Sequence, residues 1–301
     1  MPELPDLTVY IEHLDRRVVG ERLLDIRLAS PFVLRSVSPA IEEVRGARVT
    51  GLRRLAKQLV FGLEHDLFVV VHLMISGRLR WYEKGRAVPK RSGLAAFDFS
   101  TGTLIFTEAS KKKRASLRLV RGQEALADLD PGGLEVLDID PVAFRTRLRA
   151  SSHTLKRTLT DQRIFAGIGN AYSDEILLHA GLSPFKRARD VDDEEAERLY
   201  AACRRTLTEW VRILRGKAGD EFPDKVTAFH DEMAAHGKYR QPCPVCGAPI
   251  QRIVHAENES NYCARCQTGG RVLADRSLSR LLRDAWPKRI EELEGVKGVR
   301  G

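Results

Sequence analysis

The pattern of apolar positions changes from helical to strand-like within the first 120 residues. Between residues 5 and 18, apolar side chains recur every three or four positions, which predicts an amphipathic helix. Its apolar face consists of Val9, Tyr10, His13, Leu14 and Val18. From about residue 20 to 120, short apolar runs alternate with glycine and charged turns, as in residues 59–61, 68–71, 95–99 and 104–106. Their close spacing predicts an antiparallel sandwich or barrel-like sheet assembly.

The second half of the chain returns to helical periodicity after a short linker. The segment Asp-Leu-Asp-Pro-Gly-Gly at 128–133 has the composition of a linker. Helical periodicity then continues to about residue 235 and includes an amphipathic run from Asp192 to Leu214. The last 35 residues are basic, with apolar residues at helical spacing at Leu278, Leu281, Leu282 and Trp286.

Net charge and apolar run lengths narrow the classes of protein. The chain has 50 Lys and Arg against 41 Asp and Glu, a net charge of +9. This excess favours a polyanionic partner, because neutralising phosphates releases their counterions. Positive charge alone does not separate nucleic-acid binders from other basic proteins. No run approaches the roughly 18 apolar residues of a membrane span, and Glu3 and Asp6 are not typical of a secretory signal.

The first residues, Met1-Pro2-Glu3-Leu4-Pro5-Asp6, offer an unusual nucleophile. A small residue after the initiator methionine favours its removal, which leaves the nitrogen of Pro2 as a free secondary amine. An α-amino group has a reference pKa of about 7.7–8.0 and can form a Schiff base with a sugar carbon. Glu3 is an adjacent acid/base group. The alternative is that Pro5 and Asp6 merely start the first helix.

Residues 155–180 predict a helical hairpin with a glycine turn. We predict one helix from Leu155 to Ile164, a tight turn at Gly167 and Gly169, and a second helix over residues 170–180. Such a turn lets backbone N–H groups approach a phosphate, and the start of the second helix adds its positive dipole end. Asn170 would either cap that helix or bind phosphate oxygens. A purely structural hairpin remains the alternative.

Four of the five cysteines have the spacing of a metal site. Cys243 and Cys246 form one CxxC pair, and Cys263 and Cys266 form the second. This arrangement predicts one zinc ion held tetrahedrally by four cysteines in a hairpin, in a reducing compartment. Four thiolates leave no open coordination position, so the zinc is expected to be structural. Cys203 is left over, and we expect it to be buried in a helix.

Three motifs follow one another along the chain: the Pro-Glu terminus, the glycine turn and the four-cysteine hairpin. In that order, the motifs PELPD, AGIGNxYxDE and CPVCG…CxxCQ closely resemble the formamidopyrimidine-DNA glycosylase/endonuclease VIII family of base-excision repair enzymes. The resemblance extends over about residues 1–267. It implies an α+β multidomain fold in which DNA binds between an N-terminal helix with an antiparallel β-sandwich and a helix–two-turn–helix domain with a C-terminal zinc hairpin. The expected bounds are 1–128 for the catalytic sandwich domain, 134–235 for the helix–two-turn–helix domain, 236–267 for the zinc-finger hairpin and 268–301 for a basic extension.

The resemblance also implies roles for individual residues. Pro2 would attack C1′ of a flipped-out damaged nucleotide, Glu3 would assist proton transfer, and Lys57 would contact DNA near the reacting sugar. Further DNA contacts are implied or expected at His72, Lys111, Lys112, Lys156, Gly169, Asn170 and Asn258. From the residues alone, Lys57 could be a solvated strand lysine and His72 a hydrogen-bonded core histidine. Lys156 could likewise be a surface charge, and residues 111–114 a solvated basic turn.

Three stretches depart from the family pattern where it touches the lesion. Asn258 replaces an arginine that grips phosphates, and an amide cannot supply the charged, bidentate contact of a guanidinium. Its neighbours Glu257 and Glu259 add negative charge. Ile75, beside Met74, takes the place of an intercalating methionine. Residues 108–113 replace an arginine–phenylalanine wedge loop. These departures concern the choice of lesion more than the bond cleavage.

The expected function is therefore a DNA glycosylase with AP lyase activity that acts on damaged double-stranded DNA. A non-catalytic or lyase-poor damage-binding paralogue is the alternative, and a zinc-ribbon module for RNA or protein is a third hypothesis. We expect one structural Zn²⁺, no membrane association and a monomer. The expected location is the cytoplasm, with association to the nucleoid in a bacterium.

Overall fold

The computed structural model of the protein describes residues 1–224, 230–255, 258–274 and 287–295. The chain divides into two compact units. The first contains residues 1–133 and 208–228, and the second contains residues 134–207 and 229–301. One long helix contributes its N-terminal part to the second unit and its C-terminal part to the first.

The first unit begins with helix α1, Leu4–Val18, as the sequence predicts to within one residue. Glu3 is the N-cap residue, and the Asp6 carboxylate accepts a hydrogen bond of 2.8 Å from the Glu3 N–H. In return, the Glu3 side chain accepts from the backbone N–H of Asp6. The pair of contacts is a capping box, which satisfies backbone donors at the helix start. Arg16 and Arg17 lie in the last turn, where they complement the helix dipole.

Eight strands follow in the first unit and form two four-stranded antiparallel sheets. One sheet has the order β1-β6-β7-β5 and the other has the order β2-β3-β4-β8. The strand bounds are β1 Leu23–Leu28, β2 Val49–Leu55, β3 Gln58–Leu63, β4 Leu67–His72, β5 Gly77–Tyr82, β6 Gly93–Phe99, β7 Thr103–Glu108 and β8 Ser116–Arg121. The four apolar runs singled out in the sequence all lie within β3, β4, β6 and β7. Short helices α2, Ile41–Val44, and α3, Gln123–Ala127, complete this part.

Aromatic side chains from both sheets meet in the core of the first unit. The ring of Phe61 on β3 stacks against Phe97 and Phe99 on β6, with centroids 6.1 and 6.4 Å apart. Trp81 on β5 stacks on Phe99 at 6.0 Å. Because the two sheets share these contacts and one continuous cluster of buried side chains, they form a sandwich. The fold class expected from the sequence is thereby confirmed for this unit.

The part of the second unit that precedes residue 208 is helical. Its helices are α4 Pro141–Arg149, α5 Leu155–Thr160, α6 Asn170–Ala180 and the first part of α7, Asp193–Ala218. Helix α6 has the predicted bounds and ends at Gly181, whose φ of 65° suits the left-handed cap. The prediction of one helix to Ile164 was wrong. Helix α5 stops at Thr160 because Asp161 is extended and its carboxylate instead accepts the Arg163 N–H at 3.0 Å.

A two-stranded hairpin carries the cysteines of the second unit. Strand β9, Ile250–His255, pairs with β10, Asn258–Cys263, and the short helix α8, Ala264–Thr268, follows. Helix α9 covers Ile290–Gly295. Glu257 and the helical pattern through Leu278, Leu281, Leu282 and Trp286 lie outside the described residues. Across the described part of the chain, no helix is long and apolar enough to cross a membrane.

Candidate catalytic and DNA-binding sites

The N-terminal residues form a buried cluster with Lys57. Pro2 and Glu3 are buried immediately before α1, and Lys57 is buried in the tight turn between β2 and β3. Burial lowers the pKa of Lys57, and the negative charge of Glu3 opposes that shift. The interpretation of Lys57 as a solvated strand lysine is therefore wrong. The three residues with predicted catalytic roles lie in one unit, and Glu3 and Lys57 are close enough for their charges to interact.

The amino group of Met1 lies near the same charged residues, Glu3 and Lys57. Burial lowers the pKa of the Met1 amino group below its usual value, with Glu3 and Asp6 opposing the shift and Arg78 and Lys57 adding to it. An amine held here is therefore neutral in a larger fraction at pH 7 than an amine in water. Only the neutral amine has a lone pair for nucleophilic attack. Arg78 contributes to this environment, although no motif in the sequence singles it out.

Asp6 is a buried titratable group that the sequence presents only as a helix-start residue. Burial raises its pKa to about 7, with the negative charge of Glu3 adding to the shift and the hydrogen bond from the Glu3 N–H opposing it. Its Oδ1 is buried without a hydrogen-bond partner among the described residues. Asp6 therefore changes its charge near neutral pH beside the predicted nucleophile.

The raised pKa of Asp6 predicts a pH dependence of stability. Its stabilising contribution is fully present below the unfolded pKa of 3.8 and is lost as pH rises through about 7. Asp6→Asn keeps an oxygen acceptor for the Glu3 N–H but cannot ionise. The unfolding free energy of the variant minus that of wild type should therefore increase by about 4 kcal/mol when the pH is raised from 4 to 8. Urea unfolding at both pH values measures this difference, and Asp15→Asn, at an exposed position of α1, is the control. Parallel pH profiles for wild type and Asp6→Asn would contradict the prediction.

His72 ends β4 near Lys57. Burial lowers its pKa to about 4, and the positive charges of Lys57 and Arg118 add to the effect. Its Nε2 atom is buried and lacks a hydrogen-bond partner within the described residues. The expectation of a hydrogen-bonded core histidine is wrong for this nitrogen. His72 is a neutral imidazole at pH 7.

Two loops carry the residues that depart from the family pattern. In the β4–β5 loop, Ile75 is half-exposed, and Met74 has a φ of 51°, in the left-handed region. In the β7–β8 loop, Lys111 and Lys112 are exposed. This loop is held at its base by the buried Glu108, whose carboxylate accepts the N–H groups of Arg114 and Ala115 at 3.0 and 3.1 Å.

The glycine turn of the second unit is braced by Gln162. Its amide donates to the carbonyls of Thr160 and Ile168 at 2.9 and 2.8 Å and accepts the Gly167 N–H at 2.8 Å. The N–H of Gly167 is thus used within the turn. Gly169 is the N-cap residue of α6, so the capping alternative for Asn170 is wrong. Asn170 is half-buried as the first residue of α6.

Lys156 is buried and joins the two helices of this hairpin. Its Nζ lies 2.5 Å from an oxygen of Asp174 and donates to the Asn170 carbonyl at 2.9 Å. The reading of Lys156 as an ordinary surface charge is wrong, because only 11% of its side chain is exposed. The second oxygen of Asp174 contacts His236 Nδ1 at 2.8 Å and accepts from Asn261 on β10 at 3.1 Å. This network links the helical hairpin to the zinc hairpin.

The four cysteines of the two CxxC pairs converge. All four Sγ atoms lie within 4.8 Å of one another, and two of the separations are 3.4 and 3.9 Å. A tetrahedral ion with Zn–S bonds of about 2.3 Å separates its sulfurs by about 3.8 Å, so the donor set fits one structural Zn²⁺. Cys203 is buried in α7, away from this set, and burial raises the pKa of its thiol. Asn258 lies exposed at the start of β10.

A sandwich unit, a glycine-turn helical hairpin and a four-cysteine hairpin together define a zinc-finger protein of the helix–two-turn–helix class. Three family models match the chain. They describe the formamidopyrimidine-DNA glycosylase N-terminal domain at residues 1–116, the H2TH domain of the same enzyme at 133–220, and a zinc finger found in FPG and IleRS at 240–269. The chain belongs to the formamidopyrimidine-DNA glycosylase family.

Individual relatives agree with this assignment. Formamidopyrimidine-DNA glycosylase of Thermus thermophilus is 34% identical over 90% of this chain and its own full length. That of Carboxydothermus hydrogenoformans is 32% identical over 89% of this chain and its full length. The crystal structure of the Thermus thermophilus protein has a TM-score of 0.75 at 32% identity, covering 88% of this chain and 98% of its own. The structure of Lactococcus lactis Fpg in complex with DNA that contains an abasic site has a TM-score of 0.78 at 26% identity, covering 88% of this chain and 99% of its own.

Proposed function

We propose that the chain is a base-excision repair DNA glycosylase with AP lyase activity whose nucleophile is the nitrogen of Pro2. Family membership supports the reaction class. The burial of Pro2 and Glu3 together with Lys57 is the single observation that supports the assignment of Pro2 as the nucleophile. Removal of Met1 is required, because an amide nitrogen has no basic lone pair.

The proposed chemistry proceeds in balanced steps. The Pro2 nitrogen forms a bond to C1′ of a flipped-out nucleotide, and the C1′–base bond breaks with its electron pair leaving on the base. Glu3 supports the proton transfers that accompany base loss and ring opening. The Pro2 nitrogen then loses its proton, its lone pair expels O4′ from C1′, and O4′ takes up a proton. The resulting iminium acidifies the C2′ proton. Loss of that proton expels the 3′ phosphate, and hydrolysis of the iminium returns the amine.

DNA contacts are proposed in both units. In the first unit they comprise Lys57, His72, Lys111 and Lys112, and in the second unit they comprise Lys156, Gly169, Asn170 and Asn258. His72 would act as a neutral hydrogen-bonding group, since its pKa is about 4. Lys156 would act largely through the position of Asn170, since its ammonium bonds the Asn170 carbonyl. A base must leave the helical stack before an amine can reach its sugar, so these contacts would hold a distorted duplex.

The expected partner is damaged double-stranded DNA. The DNA complex of a relative supports this partner. We further propose that the protein acts as a monomer and works in the cytoplasm, at the nucleoid in a bacterium.

Sodium borohydride trapping tests the proposed function. Purified protein, with loss of Met1 checked by intact mass, is incubated with duplex DNA that contains one abasic site and is then reduced. We expect a covalent protein–DNA adduct, because borohydride reduces the iminium to a stable amine. Absence of an adduct in protein that begins at Pro2 would instead favour a damage-binding relative that does not cleave. Preferential binding to RNA over damaged duplex would favour the zinc-ribbon hypothesis.

A further inference from the structure

The zinc hairpin carries an exposed cluster of two arginines and a tyrosine, here called the hairpin cluster: Tyr239, Arg240 and Arg252. The guanidinium carbons of Arg252 and Arg240 lie 4.6 and 5.1 Å from the centroid of the Tyr239 ring. Tyr239 is 37% exposed, and the side chain of Arg252 is 40% exposed. Cation–π contacts of this kind orient a guanidinium while its N–H groups remain available to a ligand.

The hairpin cluster has an excess of positive charge. Arg252 pairs loosely with Glu259, at 3.6 Å between Nη1 and Oε2. That carboxylate also accepts a hydrogen bond of 3.0 Å from Asn261. Among the residues that the structure describes, Arg240 contacts the Tyr239 ring and has no acidic partner. Two guanidinium groups beside one carboxylate leave a net positive charge, which an anion would relieve.

A continuous chain of contacts relates the hairpin cluster to the start of α6. Asn261 lies directly opposite Arg252 in the β9–β10 pairing. Asn261 contacts Asp174, which pairs with Lys156, and Lys156 donates to the carbonyl of Asn170. Directly opposite residues of an antiparallel pair project from the same face. The hairpin face that carries Arg252 is therefore the one that reaches the glycine-turn hairpin.

Asn258 belongs to the other face of the hairpin. It is opposite His255 in the register, three positions along β10 from Asn261. Successive strand residues alternate between faces, so an odd separation places the two residues on opposite faces. A ligand contact by Arg252 would therefore be separate from one made by Asn258.

We propose that the hairpin cluster is a binding subsite for a backbone phosphate of the bound DNA, distinct from the contact at Asn258. This inference rests on the proposed DNA-binding function. A guanidinium fork matches the geometry of two phosphate oxygens, and Arg240 supplies a second positive charge beside it. The Tyr239 ring keeps both groups oriented, so less side-chain entropy is lost on binding.

The test compares DNA binding of wild type with the double variant Arg240→Ala/Arg252→Ala. The ligand is a short duplex with one tetrahydrofuran abasic analogue, and anisotropy gives Kd from about 50 to 200 mM salt. We expect about tenfold weaker binding near 100 mM salt and a slope of log Kd against log salt reduced by ~1–2. Because the analogue cannot form a Schiff base, failure of the Pro2 chemistry would not affect this measurement.

Matched variants separate a phosphate contact from general loss of charge. Arg198→Ala/Arg212→Ala removes two exposed arginines of α7, both paired to glutamates within that helix, and should leave the slope at the wild-type value. Arg252→Lys retains the charge without the fork, so we expect the wild-type slope with weaker affinity. Bound zinc, measured for each variant, reports an intact hairpin. A wild-type slope in the hairpin double variant, or an equal decrease in the α7 double variant, would overturn the proposal.

Discussion

Pro2→Gly should reduce the rate of borohydride-trapped adduct formation on abasic DNA by about 100-fold or more, equivalent to ~2.7 kcal/mol of transition-state stabilisation. A secondary amine condenses to an iminium that carries no N–H and therefore stays cationic. A primary amine gives an imine that must be protonated before it withdraws electrons. Glycine also lacks the pyrrolidine ring, which fixes the orientation of the nitrogen substituent relative to Cα. Single-turnover trapping at saturating DNA measures the rate.

A second variant separates the amine from the fold. An uncleaved N-terminal tag converts the Pro2 nitrogen into an amide while every side chain of the cluster is retained, so trapping should be lost. Proteolytic or aminopeptidase removal that exposes Pro2 should restore it. Lys57→Met should not remove the ability to form an adduct if Pro2 is the nucleophile. An adduct of wild-type yield in both the tagged protein and Pro2→Gly would contradict the assignment of Pro2 as the nucleophile. Lys57, whose pKa is also lowered, would then be the next amine to test.

Loss of one zinc ligand should unfold the hairpin that carries β9 and β10. Cys263→Ser removes one of four thiolates that hold the strands, and structural zinc contributes roughly 10–16 kcal/mol of apparent binding free energy in small zinc domains. The buried side chains of Ile250, Ile253 and Tyr262 pack around this site and cannot replace that contribution. We expect loss of stoichiometric zinc and at least about 100-fold weaker binding to tetrahydrofuran-containing DNA, since the hairpin contacts would be lost.

Cys203→Ala is the matched control for the zinc prediction. Cys203 is a buried cysteine of α7 outside the metal cluster, so its loss should leave zinc content at one per chain. Zinc is quantified by mass spectrometry of the metal, and binding by anisotropy. The sandwich unit should keep its thermal transition in Cys263→Ser, because its core contains none of the four zinc ligands. Stoichiometric zinc in Cys263→Ser would contradict the assignment of the ligand set.

Local patterns were sufficient to predict most elements. Helix α1, helix α6 and the cysteine hairpin follow from periodicity, the Gly181 stop and CxxC spacing, all of which act over a few residues. The predicted end of α5 was wrong because the Asp161 side chain competes with the helical backbone for hydrogen bonds. Apolar periodicity does not report that competition. Cys203 was predicted correctly because a lone cysteine in an apolar helical run has few alternatives.

The electrostatic features of the sites could not be predicted in this way. The raised pKa of Asp6 depends on burial by the sandwich unit as well as on its neighbours in the chain. The contacts of Asp174 with His236 and Asn261 join positions 62 and 87 residues apart. One signal was present: Asp174 and Glu175 are adjacent acids that directly precede the apolar run Ile176-Leu177-Leu178 of α6, which indicates buried partners. The Glu175 carboxylate does accept the N–H groups of Ala234, Ala235 and His236, each at 2.8 Å.

The anchoring of the β7–β8 loop by Glu108 bears on how the protein's substrate range can evolve. The carboxylate holds backbone N–H groups of Arg114 and Ala115, so the fixed points of the loop do not depend on which side chains occupy its tip. Lys113 also donates from its Nζ to the Glu108 carbonyl, whereas Lys111 and Lys112 are exposed and can be exchanged with little penalty to the sandwich. Under the proposed DNA contacts of Lys111 and Lys112, a lineage can change the tip sequence, and with it the contact to damaged DNA, while the catalytic scaffold stays constant.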